Sequence, residues 1–318
     1  MALLEVRDLK TYYSTLRGEV RAVDGVSLEI ERGEALGLVG ESGCGKSTIA
    51  LSVMRLLPWN GRIVGGRISL GGVDVLGLDE ATLRAKYRWK RVSMIFQGAM
   101  NALHPLFKIG DQIAEGITTH EDVGKEEAWR RARELLSLVG VGEQRASSYP
   151  HELSGGMKQR TMIAMALACN PDLVIADEPT TALDVIVQGQ VLKLMKRLQG
   201  ELNLSMMFIT HDLSVIAETC DRAVIMYAGK VCEAADIVTI FKKAVHPYTQ
   251  GLVEAFPSIR GERKGLISIP GSPPDLLNPP PGCRFHTRCP HAEAVCRERE
   301  PELISLGEAH FAACHLLT

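Results

Sequence analysis

Residues 40–47 read Gly40-Glu41-Ser42-Gly43-Cys44-Gly45-Lys46-Ser47, and this string constrains the chain more than any other. Its glycines permit φ > 0 and let backbone amides approach phosphate oxygens closely. Ala35-Leu36-Gly37-Leu38-Val39, just before it, is a continuous apolar run that fits a buried strand. After it the pattern predicts a helix from near Lys46 through Met54 to Leu57, stopped by Pro58, Asn60 and Gly61. Strand, glycine turn and helix N-terminus together form an anion cradle, to which the helix adds its positive dipole end. Lys46 can reach the β- and γ-phosphates, and Ser47 can ligate Mg²⁺. Gly40, Ser42, Gly43, Gly45, Lys46, Ser47 and Thr48 are therefore the candidate nucleotide contacts. A tight turn with a chance lysine is the bland alternative, and the flanking strand and helix weigh against it.

Two more buried strands are expected at Asp172–Ala176 and Met206–Ile209. The first ends in Asp177-Glu178, at the strand C-terminus where open α/β sheets bind ligands. Asp177 suits a Mg²⁺ shell, through water, and Glu178 suits a general base for an attacking water. Taken alone, the pair also reads as surface acids ending a strand. Leu153-Ser154-Gly155-Gly156-Met157 lies between this strand and the glycine-rich loop. Its Gly-Gly turn opens a helix through Met165, again an anion-binding geometry, or simply a helix capped by Ser154.

Short alternating segments over residues 3–30 predict a small antiparallel sheet. Ala128, Ala132, Leu135, Leu136 and Val139 recur at helical spacing, which predicts an amphipathic helix over 125–139 in a mostly helical subdomain of about 98–168. Alternating strands and helices imply an α/β fold with a largely parallel sheet. The net charge of -2 gives no support to nucleic-acid binding. No run of about 18 apolar residues is present, and the first residues lack a secretory pattern, so a cytoplasmic chain is expected. Work at a membrane would then need a spanning partner.

In their order and spacing these motifs resemble the nucleotide-binding subunit of an ABC transporter, over about residues 3–240. The resemblance implies a P-loop ABC ATPase domain at 1–240: a mixed-sheet core, a small antiparallel β subdomain and a helical signature subdomain. It implies further roles residue by residue. Tyr13 resembles the aromatic that stacks on adenine, with Tyr12 as the fallback, since alternation lets only one of them face the base. Gln97, in Met94-Ile95-Phe96-Gln97, resembles the Q-loop glutamine that senses Mg²⁺ and water. Ser154, Gly155 and Gly156 resemble the signature motif, which faces the γ-phosphate held by an opposite subunit. Met157 and the stretch Gly98–Pro105 depart from the commoner family wording. Thr181-Ala182-Leu183-Asp184 resembles the D-loop at the dimer seam. His211 resembles the switch histidine.

Beyond residue 240 the texture changes. Six prolines fall between Pro270 and Pro281, with no helical period. Cys283, Cys289, Cys296 and Cys314 crowd into the last 36 residues, while Cys44, Cys169, Cys220 and Cys232 are scattered earlier. In a reducing compartment the crowded set reads as metal ligands rather than disulfides. Its spacing suits zinc or an iron–sulfur cluster equally, and His286, His291, His310 and His315 lie near enough for a mixed zinc site. A small extension at 241–318, held by that metal site more than by a core, is the expectation.

Pro270-Gly271-Ser272-Pro273-Pro274, Gly282-Cys283, Arg288–Ala292 and Val245–Thr249 resemble the C-terminal region of the oligopeptide/dipeptide importer ATPases. That resemblance implies a [4Fe–4S] cluster on the four cysteines. It also implies an ATP-hydrolysing subunit on the cytoplasmic face of the membrane, energising import of peptides, or of oligosaccharide or nickel. Its partners would be a second, related ATPase in a heterodimer, two membrane-spanning permease subunits and an extracytoplasmic solute-binding protein. The rival readings are a soluble ABC ATPase without transport and an exporter ATPase. Neither long coiled-coil insertions nor a second ATPase domain mark the first, and the importer-like tail argues against the second.

Overall fold

The structure is a computed structural model that describes residues 2–98, 102–255 and 269–317. Residues 99–101, within the stretch that departs from the family wording, lie outside the described residues. The chain divides into two compact units, one of Glu31–Ala35 and Gly77–Phe208, the other of Ala2–Ile30, Leu36–Leu76 and Ile209–Thr318.

In the second unit the chain starts with β1 (Leu4–Thr15) and β2 (Gly18–Ile30) and continues through β3 (Ala35–Val39), α1 (Lys46–Met54), β4 (Gly61–Leu70) and β5 (Val73–Asp74). An antiparallel sheet runs β2-β1-β4-β5. Its register pairs Leu4 with Ile30 and Val6 with Leu28, so the alternating apolar positions of both strands fall on one buried face. The antiparallel pair expected at residues 3–30 is present, and β4 and β5 extend it. Helix α1 is shorter than expected and ends at Met54. Arg55 takes φ 51, a left-handed cap whose N–H bonds back into the last turn. Its guanidinium donates to the carbonyls of Val75 and Leu76, which holds the chain out of the helix.

The other unit carries α2 (Glu80–Thr82), β6 (Val92–Ile95), α3 (Ile109–His120), α4 (Lys125–Leu138), α5 (Gly155–Ala166), β7 (Leu173–Asp177) and α6 (Val185–Leu202). Strand β8 (Ser205–Thr210) follows. Here β8, β7 and β6 are sheet neighbours, and β6 pairs with β7 in parallel, fully buried as a parallel strand should be. Ala128, Ala132 and Leu136 form the buried stripe of α4, as its period predicts.

The chain then returns to the second unit with α7 (Leu213–Thr219), β9 (Arg222–Tyr227), β10 (Lys230–Asp236), α8 (Ile237–Lys243) and α9 (Pro247–Glu254). It closes with α10 (Ala294–Glu298), β11 (Ile304–Gly307) and β12 (His310–Ala312). The sheet of this unit runs β11-β12-β10-β9-β3, with β3 and β9 parallel and the rest antiparallel. The tail has more core than its sequence suggests. β12 pairs with β10, and the rings of Tyr227, Tyr248 and Phe285 pack with centroids 4.7–5.3 Å apart. Among the described residues no helix is long and apolar enough to cross a membrane.

Candidate functional site

Strand β3 is buried along its whole length and delivers the chain into the glycine-rich loop. Two glycines there have no substitute. A Cβ on Gly40 would lie 2.1 Å from the Met226 carbonyl oxygen. Gly45 holds φ 106 as the N-cap of α1, and a Cβ on it would lie 2.2 Å from the Ala22 carbonyl oxygen. No side chain caps α1, so its first-turn N–H groups face outward as donors for an anion. Lys46 is buried, and its ammonium donates to the carbonyl oxygens of Gly40 (2.6 Å) and Glu41 (3.0 Å), with Cys44 Sγ at 3.6 Å. The loop therefore carries its cation folded inside its own turn. Ser42, Gly43 and Ser47 are exposed.

Tyr13 and Tyr12 diverge as alternation requires. Tyr13 Oη donates to Thr48 Oγ1 of α1 at 3.2 Å, and its ring lies against Gly61. Tyr12 Oη instead donates to Asp24 at 2.7 Å. Only Tyr13 is thereby attached to the helix that follows the loop. His211 follows the last residue of β8 in an exposed position, just before Asp212 caps α7.

In the other unit, Asp177 is buried at the end of β7, and Glu178 follows it with φ 47. A non-glycine residue in the left-handed region is uncommon and clusters at functional sites. Its carboxylate Oε2 accepts hydrogen bonds from Gln97 Nε2 (2.8 Å) and Thr181 Oγ1 (3.0 Å). Two of the separately read motifs thus meet on one carboxylate. Ser154 caps α5, accepting from the Met157 amide at 3.3 Å. Gly156 has a packing reason as well: a Cβ on it would lie 2.6 Å from Val187 Cγ1. Asp184 caps α6 through the Val187 amide at 2.9 Å.

The cysteines are all free thiols. Burial pushes Cys283 up to about 11, and the thiols of Cys296, Cys314 and Cys289 push the same way. Cys289 is raised by burial and then by Cys296, and Cys314 by burial and then by Cys289 and Cys296. Yet among the described residues no group of three or more His, Cys, Asp or Glu side chains is arranged to hold a metal ion. His286 Nδ1 bonds the Cys283 carbonyl oxygen at 2.8 Å, His310 Nε2 the Glu233 carboxylate at 2.7 Å, and His315 Nε2 the Arg299 carbonyl oxygen at 2.9 Å.

Two arginines of the tail make long-range ion pairs: Arg284, which the sequence does not single out, and Arg288, which stands in the Arg288–Ala292 motif with no role of its own. Arg284 grips Asp24 and the Ala228 carbonyl oxygen, and Arg288 binds Glu41 of the glycine-rich loop. Burial raises the Asp24 carboxyl, but the Tyr12 hydrogen bond and the positive charges of Lys230, Arg284 and Arg21 outweigh it and hold Asp24 below its ordinary range.

A buried strand, a glycine loop and an uncapped helix around an enclosed lysine define a P-loop nucleotide-binding protein. The comparisons narrow that class: the ABC transporter family model matches residues 23–181, and the chain belongs to that family. A model of the oligopeptide/dipeptide transporter C-terminal region matches residues 232–296. The chain is 48% identical over 316 residues to a probable peptide ABC transporter ATP-binding protein of Sinorhizobium fredii, covering 98% of this chain and 94% of that one. It is 46% identical to the oligopeptide transport ATP-binding protein OppD of Bacillus subtilis, covering 99% and 89%. It is also 46% identical to OppD of Escherichia coli, covering 94% and 89%. The ATP-binding cassette MJ0796, solved as a dimer in a post-hydrolysis state with ADP and Pi, is 28% identical with TM-score 0.65, covering 74% of this chain and 98% of that one. CbiO1 of Clostridium perfringens, part of a cbiONQ transporter complex, is 26% identical with TM-score 0.66, covering 76% and 91%. The P-loop ABC ATPase fold, mixed sheet with helices, is thus the fold of this chain.

Proposed function

We propose that the chain is the ATP-hydrolysing subunit of an ABC importer for di- and oligopeptides, acting at the cytoplasmic face of the membrane. One observation carries this reading: an ABC transporter match over the glycine-rich loop is followed in the same chain by an oligopeptide/dipeptide C-terminal match. The enclosed Lys46 and the open first turn of α1 support it with the chemistry that ATP needs.

Lys46 turns from the carbonyls of Gly40 and Glu41 to the β- and γ-phosphates, joined by the amides of residues 42–48. Ser47, Gln97 and Asp177 are the residues that would hold Mg²⁺, which supplies Lewis-acid neutralisation of phosphate charge. Tyr13 stacks on the adenine. Glu178 takes the proton of the attacking water as its oxygen bonds the γ-phosphorus, while the bond to the β–γ bridging oxygen breaks and leaves ADP and phosphate. Gln97, already 2.8 Å from Glu178, orients that carboxylate. His211 contacts the γ-phosphate. Ser154, Gly155 and Gly156 face the nucleotide of a second, related ATPase subunit, and Asp184 lies at the seam. ATP favours the closed pair because γ-phosphate contacts exist only there. Two permease subunits would receive that motion, and an extracytoplasmic solute-binding protein would deliver the peptide.

The four tail cysteines, Cys283, Cys289, Cys296 and Cys314, would supply the thiolate donors of a [4Fe–4S] cluster, although the described residues are not gathered to hold a metal ion as they stand. Bound there, the cluster would supply the positive charge that favours the thiolate form of its ligands. The residues 241–318 would then be a cross-linked extension of the ATPase domain.

Glu178→Gln tests the core of the proposal. The variant is expected to bind ATP like the wild type and to lower turnover by about 10²–10⁴-fold, the usual worth of a general base. Normal hydrolysis by the variant would remove Glu178 from that role.

A further inference from the structure

Glu41 lies inside the glycine-rich loop, yet its carboxylate and its amide are held from outside the loop, while its carbonyl holds the loop's own lysine. Its carboxylate forms a two-pronged pair with Arg288: Nη1 to Oε2 at 2.6 Å and Nη2 to Oε1 at 3.0 Å. Its amide N–H donates to Tyr248 Oη at 3.0 Å. Its carbonyl oxygen accepts from Lys46 Nζ at 3.0 Å. The residue is therefore the point where the tail meets the loop that encloses the lysine.

Arg288 is itself tightly held. Its side chain is 4% exposed, against 28% for that of Glu41. Nε donates to the Pro270 carbonyl oxygen at 2.7 Å, Nη2 to that of Ile269 at 3.2 Å and Nη1 to Tyr227 Oη at 3.2 Å. Its guanidinium also sits 5.6 Å from the Tyr227 ring centroid. Every donor arm is thus committed, and the orientation of the fork is fixed before it reaches Glu41. Tyr248 is equally fixed, buried between the rings of Tyr227 and Phe285. Arg288 adjoins Cys289, and Tyr248 of α9 packs against Phe285, which lies between Cys283 and Cys289, so one support of Glu41 stands on the cysteine-bearing segment and the other leans on it.

We propose that Arg288 is a positioning residue for nucleotide binding: through Glu41 it fixes the backbone of the phosphate-binding loop, and thereby couples the state of the cysteine-bearing tail to the affinity for ATP. The inference rests on the ATPase reading above. Arg288 touches no phosphate in this scheme. It holds the loop in the shape that receives one, so the cost of ordering the loop is met at folding rather than at binding. Loss of the pair lets the Glu41 peptide turn, and with it the two carbonyls that hold Lys46. Binding then weakens, while Glu178 and Gln97 remain intact for bound nucleotide.

The test uses the full chain with whatever metal it purifies with, a fluorescent ATP analogue displaced by Mg·ATP, and steady-state hydrolysis in the assembled transporter. Arg288→Met is expected to raise the ATP Kd and KM about tenfold, with kcat within about twofold of the wild type. Glu41→Gln, which keeps shape and removes the charge, is expected to do the same. The double variant Arg288→Met/Glu41→Gln should be no worse than either alone, because both remove one interaction. The charge swap Glu41→Arg/Arg288→Glu should recover part of the affinity. Unchanged ATP affinity in folded Arg288→Met or in Glu41→Gln would overturn the proposal, as would additive losses in the double variant. If Arg288→Met fails to fold, the Glu41→Gln affinity decides alone. Wild-type chain that binds no ATP analogue would instead overturn the ATPase reading on which this rests.

Discussion

His246 provides an acid-sensitive support for the tail, and its size follows from the structure. The residue is buried, and its Nδ1 accepts a hydrogen bond from the Tyr248 amide at 3.0 Å as the N-cap of α9. A protonated ring cannot accept that bond, and burial penalises the charge. Burial pushes the imidazole down from 6.5 to about 4, only partly opposed by the Glu233 carboxylate. At pH 7 the ring is neutral in the folded and the unfolded chain, so full stability is present. As pH falls below 6.5 the unfolded chain takes up a proton that the folded chain refuses until near pH 4, and stability is lost across that window. At about 1.4 kcal/mol per pH unit, the fall from 6.5 to 5 costs about 2 kcal/mol. For a unit of this size that corresponds to a drop in Tm of roughly 4–8 °C. His246→Asn keeps an N-cap acceptor and removes the titration. Thermal unfolding at pH 7 and pH 5 should show the wild type losing roughly 4–8 °C more than the variant. Equal losses in both proteins would refute the assignment of acid lability to this ring.

Lys46→Ala should abolish measurable ATP binding while the fold survives, since the ammonium contacts only loop carbonyls and Cys44 in the free protein; calorimetric titration with Mg·ATP reads this, and unchanged affinity would remove Lys46 from the phosphate site. Cys289→Ser should remove bound iron and labile sulfide from the purified protein. It should also raise the proteolytic sensitivity of the tail, and unaltered iron content would take Cys289 out of the ligand set.

The legible parts of this protein are those whose signal is local. A buried run followed by Gly40, Gly43 and Gly45 announces itself because the turn needs those glycines in consecutive register, and the fold places them as read. The stripe of α4 is likewise a property of one segment. Strands β9 to β12 were not singled out, because short apolar segments such as Val224–Met226 carry no period that distinguishes them. The end of α1 is not legible locally, because Arg55 leaves the helix and bonds carbonyls twenty residues on, a tertiary event. Least legible were Arg284 and Arg288, whose partners Asp24 and Glu41 lie 260 and 247 residues away. An arginine among the charges of a tail looks like any solvated residue until the fold names its partner. The cysteines, prolines and short motifs of the tail are legible, whereas much of what fixes it is ring packing, a strand pair and two buried guanidinium groups.

The candidate site also shows how one local device serves two ends. Ser154 and Asp184 both cap helices, accepting the amides of Met157 and Val187. An N-cap side chain satisfies one of four orphan N–H groups and leaves the others directed along the helix axis. A residue can therefore stabilise its helix by about 1 kcal/mol and still stand beside an anion site. The cap reading and the nucleotide reading of Ser154 are not rivals. Helix α1 takes the opposite course: Gly45 offers no side chain, and the first turn is left with donors that only a ligand or water can satisfy. Stability is forgone at the helix that is to bind phosphate in its own subunit and retained at the helix that would meet phosphate from another. That asymmetry suits the two-subunit site proposed above, because an α5 end shaped in advance needs no nucleotide to hold it.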